Sequence, residues 1–363
     1  MINAVSILEI RDLEVRRGGV RVLDIPGFEV LDGEFLSLIG PNGAGKSTLL
    51  LVLACLLPRY RGSLSFRGAS VMEGNGLMGY RRKISMVFQE PLLFDGTVES
   101  NVASGLRLHG VNRSNIGRIV GECMERFGIG NLKGRHARKL SGGEAQRTSL
   151  ARAFAVGPEV IFLDEPFSSL DPPTREGLME DLQRILRETK TTAVMATHDR
   201  VEALRLSSRM AIMKDGRIVQ IGDPGDVMNR PQDEFVASFV GVETVLSGKI
   251  VGSGAGTVTV QVPGGKIESV GVGQVGDPVL CCIRPELVTL STGSPTESAS
   301  ARNVLPGRIV KVIPMGLFYK VNIDCGFPLT AYVTASSVEN LTLAEGSAVC
   351  SSFKATAVHL IRK

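Results

Sequence analysis

Eight residues constrain the fold of this chain more than any others. Gly40-Pro41-Asn42-Gly43-Ala44-Gly45-Lys46-Ser47 follows the apolar run Phe35-Leu36-Ser37-Leu38-Ile39 and precedes the apolar stretch Thr48 to Leu57. The spacing G-x-x-x-x-G-K-[ST] has physical meaning in this strand-to-helix setting. Successive backbone N–H groups at the positive end of a helix cradle phosphates, Lys46 adds a point charge, and the Ser47 hydroxyl can reach Mg²⁺. A glycine-rich turn with an incidental lysine would not need that setting. A loop of this kind demands a strand–loop–helix unit, and therefore an α/β fold.

The rest of the first 240 residues agrees. Ile84 to Phe88, Val160 to Leu163, Thr192 to Ala196 and Met210 to Met213 read as further strands. Thr48 to Leu57, Ser114 to Phe127, Ala145 to Val156 and Thr174 to Thr189 read as helices. Strands separated by helices predict a parallel sheet. Only helix signal runs from Gln89 to Leu140, which predicts a helical subdomain over about 90–140 inside a domain spanning 1–240.

Beyond Phe239 the pattern changes to short β-rich runs punctuated by Gly, Pro, Asn and Ser: Gly256 to Val262, Val279 to Ile283, Arg308 to Ile313, Tyr319 to Ile323 and Leu329 to Val333. A small all-β, OB-like region over 241–363, an antiparallel barrel or sandwich, is expected. It also repeats itself. Val245-Leu-Ser-Gly-Lys-Ile-Val251 is similar to Val304-Leu-Pro-Gly-Arg-Ile-Val310, and Val279 to Leu290 is similar to Val349 to Leu360. Two copies of one module, about 242–290 and 300–363, account for this, with Ser291 to Ser300 as linker.

Composition sets outer limits. With 43% hydrophobic and 21% charged residues, the 363-residue chain is ordinary globular protein, long enough for two domains. Its 41 basic and 37 acidic side chains leave +4, too little to argue for nucleic acid. Residues 242–363 hold ten Lys/Arg and eight Asp/Glu, so there is no basic tail. The longest apolar run, Leu49 to Leu57, is far short of the ~20 residues that span a bilayer. Met1-Ile2-Asn3-Ala4-Val5 lacks the features of a secretory leader. Six cysteines without CxxC spacing read as reduced thiols of a cytoplasmic protein.

Two further strings carry chemistry. Val160-Ile-Phe-Leu-Asp-Glu165 is an apolar strand ending in two carboxylates. Asp164 at its tip suits Mg²⁺ coordination and Glu165 can polarise an attacking water. Taken alone, the pair could be a solvated acidic turn. Leu140-Ser-Gly-Gly-Glu-Ala-Gln-Arg147 contains a capping box, Ser141 with Glu144. The cap does not explain Gly142-Gly143, which cost helix stability. Bare amides at a positive helix end make an anion site, and a γ-phosphate is the anion expected.

On these strings the chain resembles the ATP-binding-cassette (ABC) ATPases from Ile7 to about Phe239, which implies an α/β P-loop fold with a parallel-sheet core, an antiparallel β subdomain and a helical subdomain. Leu140 to Arg147 is similar to their signature motif. Gln89 in Val-Phe-Gln-Glu matches their Q-loop, Ser169-Leu-Asp171 their D-loop, and His198 in Thr-His-Asp their switch histidine. The resemblance implies ATP and Mg²⁺ as ligands and Ser47, Gln89 and Asp164 around the metal. Lys46, Gln89, Glu165 and His198 would act in catalysis. It also implies a head-to-tail homodimer in which Ser141, Gly142, Gly143 and Asp171 of one copy meet the nucleotide held on Gly40 to Thr48 of the other. Arg17 stands where the family has an aromatic residue stacking on adenine; a guanidinium can also stack there.

The resemblance extends to what the engine drives. Gln89-Glu-Pro-Leu-Leu-Phe-Asp-Gly-Thr-Val-Glu-Ser-Asn101 is similar to the segment on which importer permeases dock, although Leu92, Leu93 and Phe94 could be local core. Two membrane permease subunits and an extracytoplasmic binding protein are the implied partners, with the chain peripheral on the cytoplasmic face. Ser300-Ala-Arg-Asn303 and Phe353-Lys-Ala-Thr356 resemble the molybdate-binding-protein-like module of some importer ATPases, the tungstate/molybdate ones above all. Ser300, Arg302, Asn303, Lys354 and Thr356 are the tentative ligands of an oxyanion, which would act as a regulator. The first copy has Arg284-Pro285 where the second has Lys354-Ala355. Sulfate, ferric iron or a polyamine are the alternative cargoes, and a barrel that only stabilises the dimer is the bland alternative for the C-terminal region. A soluble ABC protein working on DNA or ribosomes would be expected to carry two cassettes or a long coiled coil; this chain shows neither.

Overall fold

In the computed structural model, which describes residues 5–58, 60–73, 76–292 and 300–362, the five apolar runs of the first 240 residues become neighbours in one sheet. Its strand order is Arg217–Gly222, Arg209–Lys214, Phe35–Ile39, Thr192–Thr197, Val160–Asp164, Ile84–Val87. All pairings are parallel except that of Arg217–Gly222 with Arg209–Lys214. Both faces are covered, as a parallel sheet requires. Val160 and Phe162 point into one hydrophobic cluster; Ile161 and Leu163, one residue out of phase, point into the other.

A second, antiparallel sheet is built from Val20–Leu31, Ser6–Arg17, Arg61–Phe66 and Ala69–Ser70. A search for continuous apolar runs passes over the first two strands because buried and exposed positions alternate along them. Helices Val98–Leu108 and Arg113–Arg126 occupy the stretch read as helical and pack on Gly142–Ala155.

Contacts divide the chain into residues 1–227 and 228–363. Residues 228–240, assigned by sequence to the first domain, pack with the β-rich unit instead. The reason is visible in two side chains. Arg284 donates to the carbonyls of Met228 and Val240, and His359 Nε2 lies 2.9 Å from the Pro231 carbonyl oxygen.

The β-rich unit holds two five-stranded antiparallel sheets, and each contains a strand from the other repeat. Val358–Arg362, the last strand of the second repeat, pairs with Pro278–Ile283 of the first; Thr289–Ser291 of the first pairs with Ala348–Phe353 of the second. The repeats therefore share one core, in which Ile267, Ile283, Val321 and Leu329 are all buried. Of the proposed linker, residues 293–299 lie outside the described ones. All six cysteines are buried free thiols, and burial pushes Cys281 and Cys282 up to about 12. Among the described residues no helix is long and apolar enough to cross a membrane.

Candidate nucleotide site

Four neighbouring parallel strands end at the same edge of the sheet, and each carries a motif just beyond its C-terminal end. Phe35–Ile39 leads into Gly40, Thr192–Thr197 into His198, Val160–Asp164 into Glu165, and Ile84–Val87 into Gln89. Ligands bind at this edge of open α/β sheets because the loops and helix N-termini converge there.

The Gly40 loop is built for close approach. Gly43 and Gly45 have φ of 82° and 102°, a region that side chains avoid, and a Cβ on Gly45 would run into Leu23. Lys46, only 5% exposed, opens the helix Lys46–Leu53 and donates to the carbonyl oxygens of Gly40 (2.8 Å) and Pro41 (3.1 Å). Burial pulls its pKa down, opposed by Glu165 and Asp164. Ser47 Oγ donates to Asp164 Oδ1 at 2.8 Å across 117 positions of sequence. Burial raises the Asp164 carboxyl, and this hydrogen bond opposes it. A hydroxyl and a carboxylate meeting beside a phosphate loop are the hard oxygen donors that Mg²⁺ takes, so the residues fit that ion. Gln89, the third expected ligand, is exposed in the turn after Val87.

A cavity of about 450 Å³ lies on the loop, lined by Asn42, Gly43, Gly45, Lys46, Ser47, Thr48, Glu165 and Arg17. Arg17 ends the strand Ser6–Arg17 and pairs with Val20 across the turn Gly18-Gly19. Five further lining residues lie outside the motifs: Val20, Arg21 and Val22 on the facing strand, and Asp215-Gly216. The Asp-Gly dipeptide between two apolar runs is the signal that marks the last of these as a tight turn. Glu165 itself sits at φ 44°, where a non-glycine residue is strained, as side chains at functional sites are. Its Oε2 lies 3.2 Å from His198 Nδ1.

Ser141, Gly142, Gly143 and Asp171 are elsewhere. They line a separate cavity of about 390 Å³ with Leu170 and Thr174, and the two cavities share no residue. The capping box is present: Glu144 N donates to Ser141 Oγ at 3.3 Å, and Ser141 N to Glu144 Oε2 at 2.8 Å. The two glycines differ. A Cβ on Gly142 would meet open space, whereas one on Gly143 would lie 2.6 Å from Thr174 Cγ2. Asp171 caps the helix Pro172–Thr189 by accepting from Thr174 N at 3.2 Å.

In the β-rich unit, Asn303 is opposite Phe353 in the sheet, with Arg302 and Lys354 flanking that pair. Ser300, Arg302, Lys354 and Thr356 are exposed. Asn303 is buried and both its polar atoms are taken by the backbone of Glu268. Its side chain is a structural tie in this arrangement rather than a free ligand. In the first repeat, the cation at the corresponding place, Arg284, is the one that holds Met228 and Val240.

A phosphate loop, a metal-suited hydroxyl–carboxylate pair and a glutamate–histidine pair at one sheet edge define a nucleoside-triphosphate-binding protein. Comparison with known proteins narrows the class. Residues 23–168 match the ABC transporter family and residues 299–360 the TOBE domain. The chain is 38% identical to the molybdate/tungstate import ATP-binding protein of Pyrococcus horikoshii, over 92% of this chain and 94% of the relative. It is 34% identical to the sulfate/thiosulfate import ATP-binding protein of Mycolicibacterium paratuberculosis, over 94% and 88%. A solved ATP-binding cassette, dimeric in a post-hydrolysis state with ADP and Pi, is similar to 60% of this chain at TM-score 0.55 and 28% identity, covering 98% of that structure. The chain belongs to the ATP-binding subunits of ABC importers.

Proposed function

We propose that this chain hydrolyses ATP as a homodimer on the cytoplasmic face of a membrane, beneath two permease subunits fed by an extracytoplasmic binding protein. The cargo is tungstate or molybdate. The observation that supports this reading most is the separation of the two cavities. The loop at Gly40 and the glycine-tipped helix at Ser141 do not meet within one chain, so a nucleotide touching both needs a second copy.

In that dimer the loop amides of one copy and the bare amides at Gly142 of the other hold the triphosphate, with the Lys46 ammonium exchanging its carbonyl partners for phosphate oxygens. Ser47, Asp164 and Gln89 would hold Mg²⁺, which would supply positive charge against the developing negative charge of the phosphates. Glu165 orients the attacking water and His198 keeps the carboxylate aimed. Arg17 and Arg21 face the base and ribose. Hydrolysis removes the anion that joins the copies, so they separate, and this alternation moves the permease.

The cargo follows from the likeness to the molybdate/tungstate relative over nearly the whole length, together with the Ser300 to Asn303 and Lys354 to Thr356 strings. Oxyanion held near Arg302 and Lys354 acts as a feedback brake. Reconstitution with the permease and binding protein in liposomes tests the reading. ATP-dependent accumulation of tungstate or molybdate, uncompeted by a large excess of sulfate, is the expected result; accumulation of sulfate instead overturns the cargo. Glu165→Gln protein with Mg-ATP should run as a dimer that retains its triphosphate, and a strictly monomeric protein overturns the engine.

A further inference from the structure

Arg175 lines neither cavity, yet its guanidinium contacts both the turn beside one of them and the residue that follows His198. The residue lies in the first turn of helix Pro172–Thr189, where its own N–H donates to Asp171 O at 2.9 Å. Nη2 donates to the Leu170 carbonyl oxygen at 3.3 Å, and Nη1 lies 3.7 Å from Asp199 Oδ2. Leu170 belongs to the turn that walls the cavity at Ser141. Asp199 directly follows His198, the partner of Glu165 in the other cavity's chemistry.

The contacts close into a ring. Glu165 O accepts from Ser168 N at 3.3 Å and Ser168 Oγ at 3.1 Å, and Leu170 N donates to Phe167 O at 3.2 Å, so the backbone from 165 to 170 is one hydrogen-bonded turn. Arg175 fastens the end of that turn to Asp199. Asp199 is fixed in its own right: its N–H donates to Thr197 Oγ1 at 3.0 Å, and its Oδ1 accepts from Val201 N at 2.7 Å and Glu202 N at 3.3 Å. From Asp199 the chain returns through His198 Nδ1 to the Glu165 carboxylate. The Glu165 backbone, strained at φ 44°, is anchored by its own N–H to Ala196 O at 2.9 Å, and the ring adds a hold on the 165–170 turn and on the His198 side of the carboxylate.

We propose that Arg175 is a positioning residue for hydrolysis: it couples the 165–171 turn at the second cavity to the loop carrying His198, and thereby sets the Glu165–His198 pair. An arginine suits the task because its planar fork serves a carbonyl and a carboxylate at once, which the single ammonium of lysine does not. This inference rests on the reading that Glu165 and His198 act on ATP.

The experiment is a steady-state ATPase measurement on the full chain with Arg175→Met, Asp199→Asn and the double substitution. Asparagine keeps the helix cap and removes the charge, so that variant folds even where loss of the arginine does not. Misaiming the pair lowers kcat by about tenfold or more and leaves KM for ATP within about twofold. The double variant is no slower than the slower single one, because both break the same link. Arg175→Lys recovers part of the rate. A kcat within about twofold of the parent chain for both single variants overturns the inference, as do losses that multiply in the double variant or that fall on KM. An inactive parent chain instead removes the underlying ATPase reading, so the two failures are told apart.

Discussion

Asn303 and Glu268, 35 positions apart and in different repeats, are joined by two hydrogen bonds. Glu268 N donates to Asn303 Oδ1 at 2.7 Å, and Asn303 Nδ2 donates to Glu268 O at 2.8 Å. The mirror contact exists in the other direction: Thr330 N donates to Thr244 Oγ1 at 3.2 Å, from the third strand of the second repeat to the first strand of the first. The hairpin turns at Gly264 and Gly326, equivalent positions of the two repeats, also press together so closely that a Cβ on Gly264 would collide with the Gly326 backbone. The repeats are thus stitched by reciprocal contacts around their shared core.

Asn303→Ala is therefore expected to act on stability rather than on anion binding. It removes the partners of the half-buried N–H and C=O of Glu268, at about 1 kcal/mol each. Chemical denaturation should show the loss. Tungstate binding to the intact full chain should persist in this variant and fall in Lys354→Ala, which removes an exposed cation without touching the core. The reverse order would return Asn303 to the ligand set.

The two signature glycines separate packing from function. Gly142→Ala meets nothing and, at the first helical position, gains part of the ~1 kcal/mol that the change is worth in a helix interior, so the melting temperature does not fall. Its methyl nevertheless stands over the amide proposed to face the γ-phosphate, and ATPase activity falls about tenfold or more. Gly143→Ala forces its methyl against Thr174, whose N–H is the one capped by Asp171, and overpacking of this kind costs about 1–3 kcal/mol. Melting curves and ATPase rates on both variants check this. A Gly142→Ala protein that is no less stable and fully active removes the phosphate role of that amide.

What the sequence makes legible follows from how local the cause is. The loop Gly40 to Ser47 and the box at Ser141 are dictated by residues within a few positions, and both are found as read. Strands buried on both faces, such as Phe35–Ile39, appear as continuous apolar runs with the same bounds in sequence and structure. The amphipathic strands Ser6–Arg17 and Val20–Leu31 do not, because their signal is alternation rather than a run. The exchange of terminal strands between the repeats has no local signature at all: Val358–Arg362 would look the same paired within its own repeat. Asn303 misleads for a related reason. A polar residue beside Arg302 reads as a ligand until the backbone of Glu268, brought in by the fold, accounts for both its atoms.

Glu202 makes the stability of the chain depend on pH. Its side chain is buried next to the His198 loop and accepts from Thr197 Oγ1 at 2.6 Å. Burial raises the carboxyl above its ordinary value, with Asp199 adding to the rise while the Thr197 hydrogen bond, Arg175 and His198 oppose it. Between the ordinary value and the raised one, the folded chain keeps a proton that the unfolded chain has lost. Stability therefore falls as pH rises through that interval and stays lower above it. Glu202→Gln keeps an acceptor for Thr197 and has no charge to bury, so it escapes that penalty. The variant should melt above the parent chain at pH 8, by about 2–4 °C for each kcal/mol recovered, and the gap should narrow toward pH 5. Calorimetry at the two pH values decides it. A gap equal at both would mean the neighbours balance burial, and one that widens on acidification would mean they stabilise the carboxylate more than burial opposes it; either result overturns the prediction.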